Sequence, residues 1–443
     1  MSHLFYQTRD RRPLLDRAEG IYIWDVNGKR YIDGSSGAMV SNIGHSNPTV
    51  LAAMRAQMDK STFGYRLHFE NEAAELLAAR VAELSPEGHN KVFFVSGGSE
   101  AVESAVKLAR QYAWARGEDK RWKVIARSPS YHGATLGALS LTSYAPLTAP
   151  FEPMLAKMPH VPAPRCYLDR DNLDDNARGL KYAEMLRDEI IESGPESVLA
   201  FIMEPIGGAS TGALVAPDSY YARVREICDE FGVLLIYDEV MTGVGRTGKF
   251  LACEHWDINP DIIATAKGFG AGYIPLGAMT ARQEIVDVVL DAGGGFQHGF
   301  TYAGNPIACA TGLAVISQIY DQDMMSNTTA RGAELMTGLR QLMDKYEFIG
   351  DVRGKGLLTA FELVKDRATM EPLAPEFGAF SKLVEHAYER GLIIYSRRSR
   401  GGYSGDHFLV CPPMIIDSAQ VGDTLSILDD SLSALATDMR GQA

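Results

Sequence analysis

The sequence predicts an α/β protein in which a mostly parallel sheet, covered by helices on both faces, is joined to a smaller α+β part. Three observations lead there. The middle third alternates short apolar or β-branched runs with helical stretches. From about Gly312 that alternation gives way to long helical patterns and a late pair of apolar runs. A length of 443 residues suffices for one large and one smaller domain around sizeable cores.

In chain order, residues 21–34 (IYIWDVNGKRYIDG) alternate apolar and polar side chains about Asn27-Gly28. That pair suits a type I′ turn, so the segment is expected to be a β-hairpin. Residues 51–82 show helical spacing, broken around 62–68. Buried strands are expected at 92–95, 124–126, 199–203, 233–237 and 262–265, with helices at 101–110 and 220–231. Ligand groups collect at the carboxyl ends of such strands. Later come the run DVRGKGLLTAFELV, a helix at 380–390, the strand GLIIYS and a Gly-rich loop. Val421, Leu425, Leu428, Leu432 and Leu435 form a closing stripe at helical spacing.

Composition narrows the function. Hydrophobic residues make up 46% and charged residues 22%, as in ordinary globular proteins. A formal charge of -13 argues against nucleic acid or an anionic membrane as partner. The five cysteines show no CxxC pairing, which suggests neither a metal site nor a disulfide framework but a reducing compartment. No signal-peptide core and no bilayer-length apolar run is seen, so a cytoplasmic location is expected.

Three clusters stand at strand ends. Ser96-Gly97-Gly98-Ser99-Glu100-Ala101 would open a helix whose N–H groups can meet an anion, although a simple capped turn reads almost the same. Tyr237-Asp238-Glu239-Val240 places an acid where it can face a cationic ring nitrogen, a metal ion or a helix end. Ala266-Lys267-Gly268 places a lysine just past a buried strand, where desolvation lowers its pKa and favours Schiff-base chemistry; a solvated loop lysine is the bland alternative. Gly243 to Lys249 imitates a P-loop, but Phe250 stands where a Mg²⁺-binding hydroxyl belongs and no helix is expected to follow.

Taken together, the motifs WDVNGKRYID, SGGSEA, YHG, MEP, YDEV…GVGRTG, AKG, GFTYAGNP and VRGKGLL, in this order, resemble the class III aminotransferases. The likeness runs from Tyr22 to the C-terminal helix. It implies a fold type I pyridoxal-5′-phosphate (PLP) transferase with a mostly parallel, seven-stranded-type sheet sandwiched by helices, plus the smaller α+β domain. The implied division is residues 1–60 as an N-terminal segment joining the small domain, 61–311 as the large PLP-binding domain, and 312–443 as the small domain. By the same resemblance, Lys267 carries PLP as a Schiff base and moves the proton, and Asp238 pairs with the ring nitrogen. Gly98 and Ser99 hold the phosphate, with Thr301 reaching it from the neighbouring subunit of a homodimer; dimer and tetramer are both left open as the final assembly. Tyr131 and Val240 pack on the two ring faces, and Glu204 joins the polar network near Asp238. His132 is expected to be a core histidine and Arg353 a structural arginine.

The sequence also departs from part of that family. Members acting on ornithine or 4-aminobutyrate place an arginine where this chain has Leu409, and a glutamate where it has Ala209. Losing both is coherent, since either alone would leave a charge unpaired. The pattern resembles the amine or ω-amino acid:pyruvate branch, whose mobile arginine meets the keto acid's carboxylate. Residues 395–402 (YSRRSRGG), expected to be a loop, offer Arg397 and Arg398 for that role. The expected substrates are a small-molecule amine and a keto acid. The alternatives are a 4-aminobutyrate-type aminotransferase or aminomutase of the same fold, a P-loop nucleotide-binding protein, and a silent PLP-fold binding protein.

Overall fold

The structure is a computed structural model that describes residues 3–442. Strands β1 (Leu15–Glu19), β2 (Tyr22–Asp25) and β3 (Arg30–Ile32) form an antiparallel meander. The expected hairpin is present, with Trp24 opposite Arg30, but its turn is not type I′. Only Gly28, at φ +82°, is left-handed. The Asp25 carboxylate accepts the Asn27 and Lys29 N–H groups at 2.9 and 3.0 Å, which holds a longer turn across residues 26–29.

A seven-stranded sheet lies at the centre. Its strands are β4 (Lys91–Val95), β5 (Lys123–Ser128), β6 (His160–Pro162), β7 (Val198–Met203), β8 (Leu234–Asp238), β9 (Ile262–Thr265) and β10 (Gly277–Ala281). Their spatial order is β4-β10-β9-β8-β7-β5-β6. All five expected strands are found, each within a residue or two of its expected ends. Strands β5 to β9 pair in parallel, whereas β10 is antiparallel to both neighbours. β7 is buried along its whole length, which explains its unbroken apolar run. Helices Gly98–Ala115 and Asp218–Phe231 pack on the sheet through Ala101, Ala105 and Leu108, and through Tyr220, Val224 and Ile227.

The third sheet contains β11 (Ile349–Lys355), β12 (Leu358–Asp366), β13 (Glu371–Pro372), β14 (Tyr395–Arg400) and β15 (Ser404–Val410). Its path is β11-β12-β15-β14, with β13 paired on β12. Here the structure corrects the sequence reading. The segment expected as a Gly-rich loop is strand β14, hairpinned to β15 with Arg397 opposite His407 and Arg398 opposite Asp406. Only residues 401–403 turn, and Arg398 Nε is held 2.8 Å from Asp406 Oδ1. Helices Met324–Lys345 and Ala379–Glu389 pack on this sheet, and Ser418–Gln442 packs against both helices. The closing stripe buries Val421, Leu428, Leu432 and Leu435 beside Phe361 and Phe408, and Ile21 and Ile32 join the same cluster.

The P-loop imitation folds as turns with Arg246 fully buried, donating to Asn42 Oδ1 at 2.7 Å and Pro412 O at 2.6 Å. A short 3-10 turn, Ala252–His255, follows it rather than an α-helix. Among the described residues, no helix is long and apolar enough to cross a membrane.

Candidate active site

The carboxyl ends of β4, β8 and β9 open on one cavity of about 720 Å³. Gly98, Ser99, Tyr131, Glu204, Asp238, Val240, Lys267 and Arg397 all line it. Thr301 and Arg398 do not. Thr301 is exposed on its loop, and Arg398 is engaged by Asp406.

At one end of the cavity, helix Gly98–Ala115 begins without a side-chain cap. Its first-turn N–H groups are therefore free to meet an anion, with the helix dipole in support. Gly98 is required by space. A Cβ there would stand 2.8 Å from Val240 Cγ1, so the helix end and the residue after Asp238 lie in close contact.

In the middle stands Asp238. Its Oδ1 accepts the Val240 N–H at 3.1 Å, and its Oδ2 lies 2.8 Å from His132 Nδ1. A carboxylate only accepts, so Nδ1 carries the hydrogen, and Nε2 is left without a partner among the described residues. His132 is the residue the sequence reading undervalued. It is buried, as expected of a core histidine, yet it is bonded to the acid at the centre of the site. The YHG motif was the one available signal.

Glu204 is buried nearby. Its Oε1 accepts the Gly208 N–H at 3.0 Å, while Oε2 has no hydrogen-bond partner among the described residues. Burial raises its pKa, and His132 and Arg127 oppose that shift.

Lys267 follows β9 and takes φ +48°, a left-handed backbone that a non-glycine residue adopts only when its surroundings enforce it. Burial pushes its ammonium down to about 8, although Asp238 and Glu204 pull the other way. A substantial neutral fraction therefore exists near pH 8, the form that attacks a carbonyl.

The two departures noted in the sequence meet in space. Leu409 is fully buried in an apolar cluster against which Ala209 packs, and Ala209 also lines the cavity. On the same hairpin, Tyr395 pairs with Leu409, and Arg397 lies over the Tyr395 ring, 4.7 Å from its centroid.

Residues 6–432 match the family Aminotransferase class-III, and the chain belongs to that family. It is 36% identical to an uncharacterized aminotransferase, YodT, of Bacillus subtilis, over 97% of this chain and 96% of that one. It is 34% identical to a putrescine–pyruvate aminotransferase of Pseudomonas aeruginosa, over 96% of this chain and 91% of that one. Among solved structures it is similar to an (S)-enantioselective omega-transaminase from Thermomicrobium roseum, with a TM-score of 0.92 and 35% identity, over 98% of this chain and 96% of that one. The protein is thus a fold type I aminotransferase, and its cofactor is pyridoxal phosphate. The cavity fits that cofactor: an uncapped helix end suits its phosphate, a buried carboxylate suits a cationic ring nitrogen, and a desolvated lysine suits its carbonyl.

Proposed function

We propose that the enzyme moves an amino group from a primary amine or ω-amino acid to a keto acid, with pyruvate as acceptor, in a ping-pong cycle. One observation carries the reading. Among the described residues, Arg397 is the only arginine on the cavity wall, and it has no carboxylate within ion-pair distance. A cation resting on a tyrosine ring and free of an acid can meet a substrate carboxylate, and it needs no partner when an apolar amine is bound. The apolar contact of Ala209 with Leu409 supports the same branch, since no fixed charge pair stands there.

Each residue then has a task. The uncapped helix end at Gly98 and Ser99 binds the phosphate. Asp238, oriented by His132, keeps the ring nitrogen protonated. Tyr131 and Val240 hold the ring between them, and Glu204 closes the polar side. Bound pyridoxal phosphate supplies a carbonyl that takes up the amino group and a cationic ring that withdraws electrons from the substrate Cα. The Lys267 amine would hold the cofactor at that carbonyl, and the same amine would move the proton at the substrate Cα.

We further propose a homodimer in which Thr301 completes the phosphate site of a second copy. The exposed side chains of Phe63, Leu67, Phe69 and Tyr302 support this, as they offer apolar surface near Thr301's loop. The division at residues 60 and 311 and a cytoplasmic location belong to the same proposal.

The experiment follows the two half-reactions separately. Arg397→Ala is expected to weaken pyruvate binding about ten- to a hundred-fold, the worth of a charge-assisted contact of about 1.5–3 kcal/mol, and to spare the half-reaction of an uncharged primary amine. An unchanged pyruvate half-reaction would remove Arg397 from this role. A preference for 4-aminobutyrate with 2-oxoglutarate would overturn the branch.

A further inference from the structure

Residues 207–214 form a loop that carries Ala209 and Ser210 on the cavity wall. Besides the Glu204 carboxylate, which accepts the Gly208 N–H, it is held by two side chains of the third sheet. His407 Nε2 lies 2.8 Å from Ala209 O. Arg353 Nε donates to Gly212 O at 2.6 Å, and its Nη2 donates to Thr211 O at 2.8 Å. Three carbonyls of the loop backbone, those of Ala209, Thr211 and Gly212, are thus bonded by two side chains of another sheet.

Both side chains are themselves held. His407 is fully buried, and burial beside the Arg353 cation drives its pKa down to about 3, so the ring is neutral at working pH. The acceptor is a carbonyl, so the ring hydrogen sits on Nε2. Arg353 is fixed by Asp351 at 2.7 Å and Glu362 at 2.9 Å, with the Tyr167 ring 4.3 Å from its guanidinium carbon. Gly212 closes the arrangement. At φ +65°, a Cβ would stand 2.7 Å from the His407 ring and 2.9 Å from Arg353 Nη2. The loop therefore sits directly on its clamp, leaving no slack.

Two hydroxyls of this loop, those of Ser210 and Thr211, are unmet among the described residues, and of the two only Ser210 lines the cavity. Ser210 is 3% exposed and lines the cavity, yet its hydroxyl has no partner among the described residues. A buried hydroxyl without a partner is costly unless a bound molecule supplies one.

We infer that His407 and Arg353 are positioning residues that lock residues 207–214 as a rigid substrate wall and thereby offer the Ser210 hydroxyl to the bound substrate. The inference rests on reading this cavity as the substrate site. It assigns binding, not chemistry, to the clamp: loosening it changes how substrate is held while the proton transfer at Lys267 stays intact.

The test uses the PLP-loaded enzyme and compares His407→Leu, which fills the space without a donor, with His407→Gln, whose amide can still reach Ala209 O. The leucine variant is expected to raise KM for amine and keto acid about three- to ten-fold, as for one lost hydrogen bond, with kcat within about three-fold and cofactor affinity unchanged. The glutamine variant is expected to restore KM. Amide hydrogen exchange across residues 207–214 should quicken in the leucine variant and recover in the glutamine one. That readout needs no turnover, so it stands even if the wild type transaminates none of the substrates tried, an outcome that sinks the functional reading alone. Equal KM in wild type and the leucine variant, or a fall in kcat and melting temperature that glutamine fails to rescue, overturns the clamp. Should the leucine variant not fold, Ser210→Ala decides. A KM raised several-fold supports the proposal, and an unchanged one overturns it.

Discussion

His132 Nδ1 lies 2.8 Å from Asp238 Oδ2, so the acid at the heart of the cavity is oriented by a histidine as well as by the backbone of Val240. Asp238→Asn is expected to lose the support of the cationic ring, costing about 2.7–4 kcal/mol, or roughly a hundred- to a thousand-fold in kcat. His132→Leu removes only the orienting bond and should cost about ten-fold. His132→Asn, which keeps a donor near the Nδ1 position, should recover most of that. Single-turnover rates of the amine half-reaction check all three, and a leucine variant at wild-type rate would show that the imidazole only fills space.

Lys267 makes a prediction that needs no cofactor. Its folded pKa, about 8, lies below that of an unfolded lysine, 10.5. Between these values the unfolded chain binds more protons, so stability rises with pH and is lost as pH falls through 8. Lys267→Met should therefore make the cofactor-free protein more stable than wild type at pH 7, with the advantage shrinking by pH 9.5. Denaturant melts at the two pH values measure this. The same variant should lose transamination entirely.

Gly98→Ala should loosen cofactor binding without unfolding the protein. The new methyl meets Val240 Cγ1 and must push the helix end or Val240 aside. Overpacking of this kind costs about 1–3 kcal/mol, or roughly five- to a hundred-fold in retention of pyridoxal phosphate by equilibrium dialysis. Retention equal to wild type would mean that the helix end has more room than the structure shows.

His89 governs part of the acid limb of stability. Its ring is fully buried, and burial, aided by the Arg282 charge, lowers its pKa from 6.5 to about 4. The unfolded chain then binds the extra proton, and stability falls as pH drops from 6.5 toward 4, by at most about 1.4 kcal/mol per pH unit for this one imidazole. His89→Phe should flatten that slope. A slope unchanged by the substitution would place its origin elsewhere.

The parts of this protein that the sequence revealed are those in which one residue's neighbours are its chain neighbours. Buried parallel strands such as β7 read as unbroken apolar runs, and Lys267 and Asp238 were visible because each directly follows such a run. Strand β10 was missed because it opens on Gly277 and Ala278 and holds a single β-branched residue, Thr280. The arginines of residues 397–400 read as a loop because glycines follow them, whereas pairing with β15 makes them a strand. His132 was undervalued for a further reason: its partner lies 106 residues away, and no local pattern records such a bond. The choice of Arg397 over Arg398 likewise depends on Asp406, which only the folded hairpin brings alongside.

The antiparallel strand β10 bears on synthesis as well as on architecture. β4, which leads into the helix end at Gly98, has β10 as its one partner in the sheet, with Val95 opposite Gly277. A chain emerging from the ribosome makes β4 early and must carry it unpaired until β10 arrives, after Asp238 and Lys267 have already appeared. The edge between β4 and β9 thus closes last, and pairings of such long sequence separation form slowly. Until that seam shuts, an apolar strand stays open to other chains. In the interval before β10 is made, the growing chain therefore carries β4 with an open edge on the side that β10 will cover.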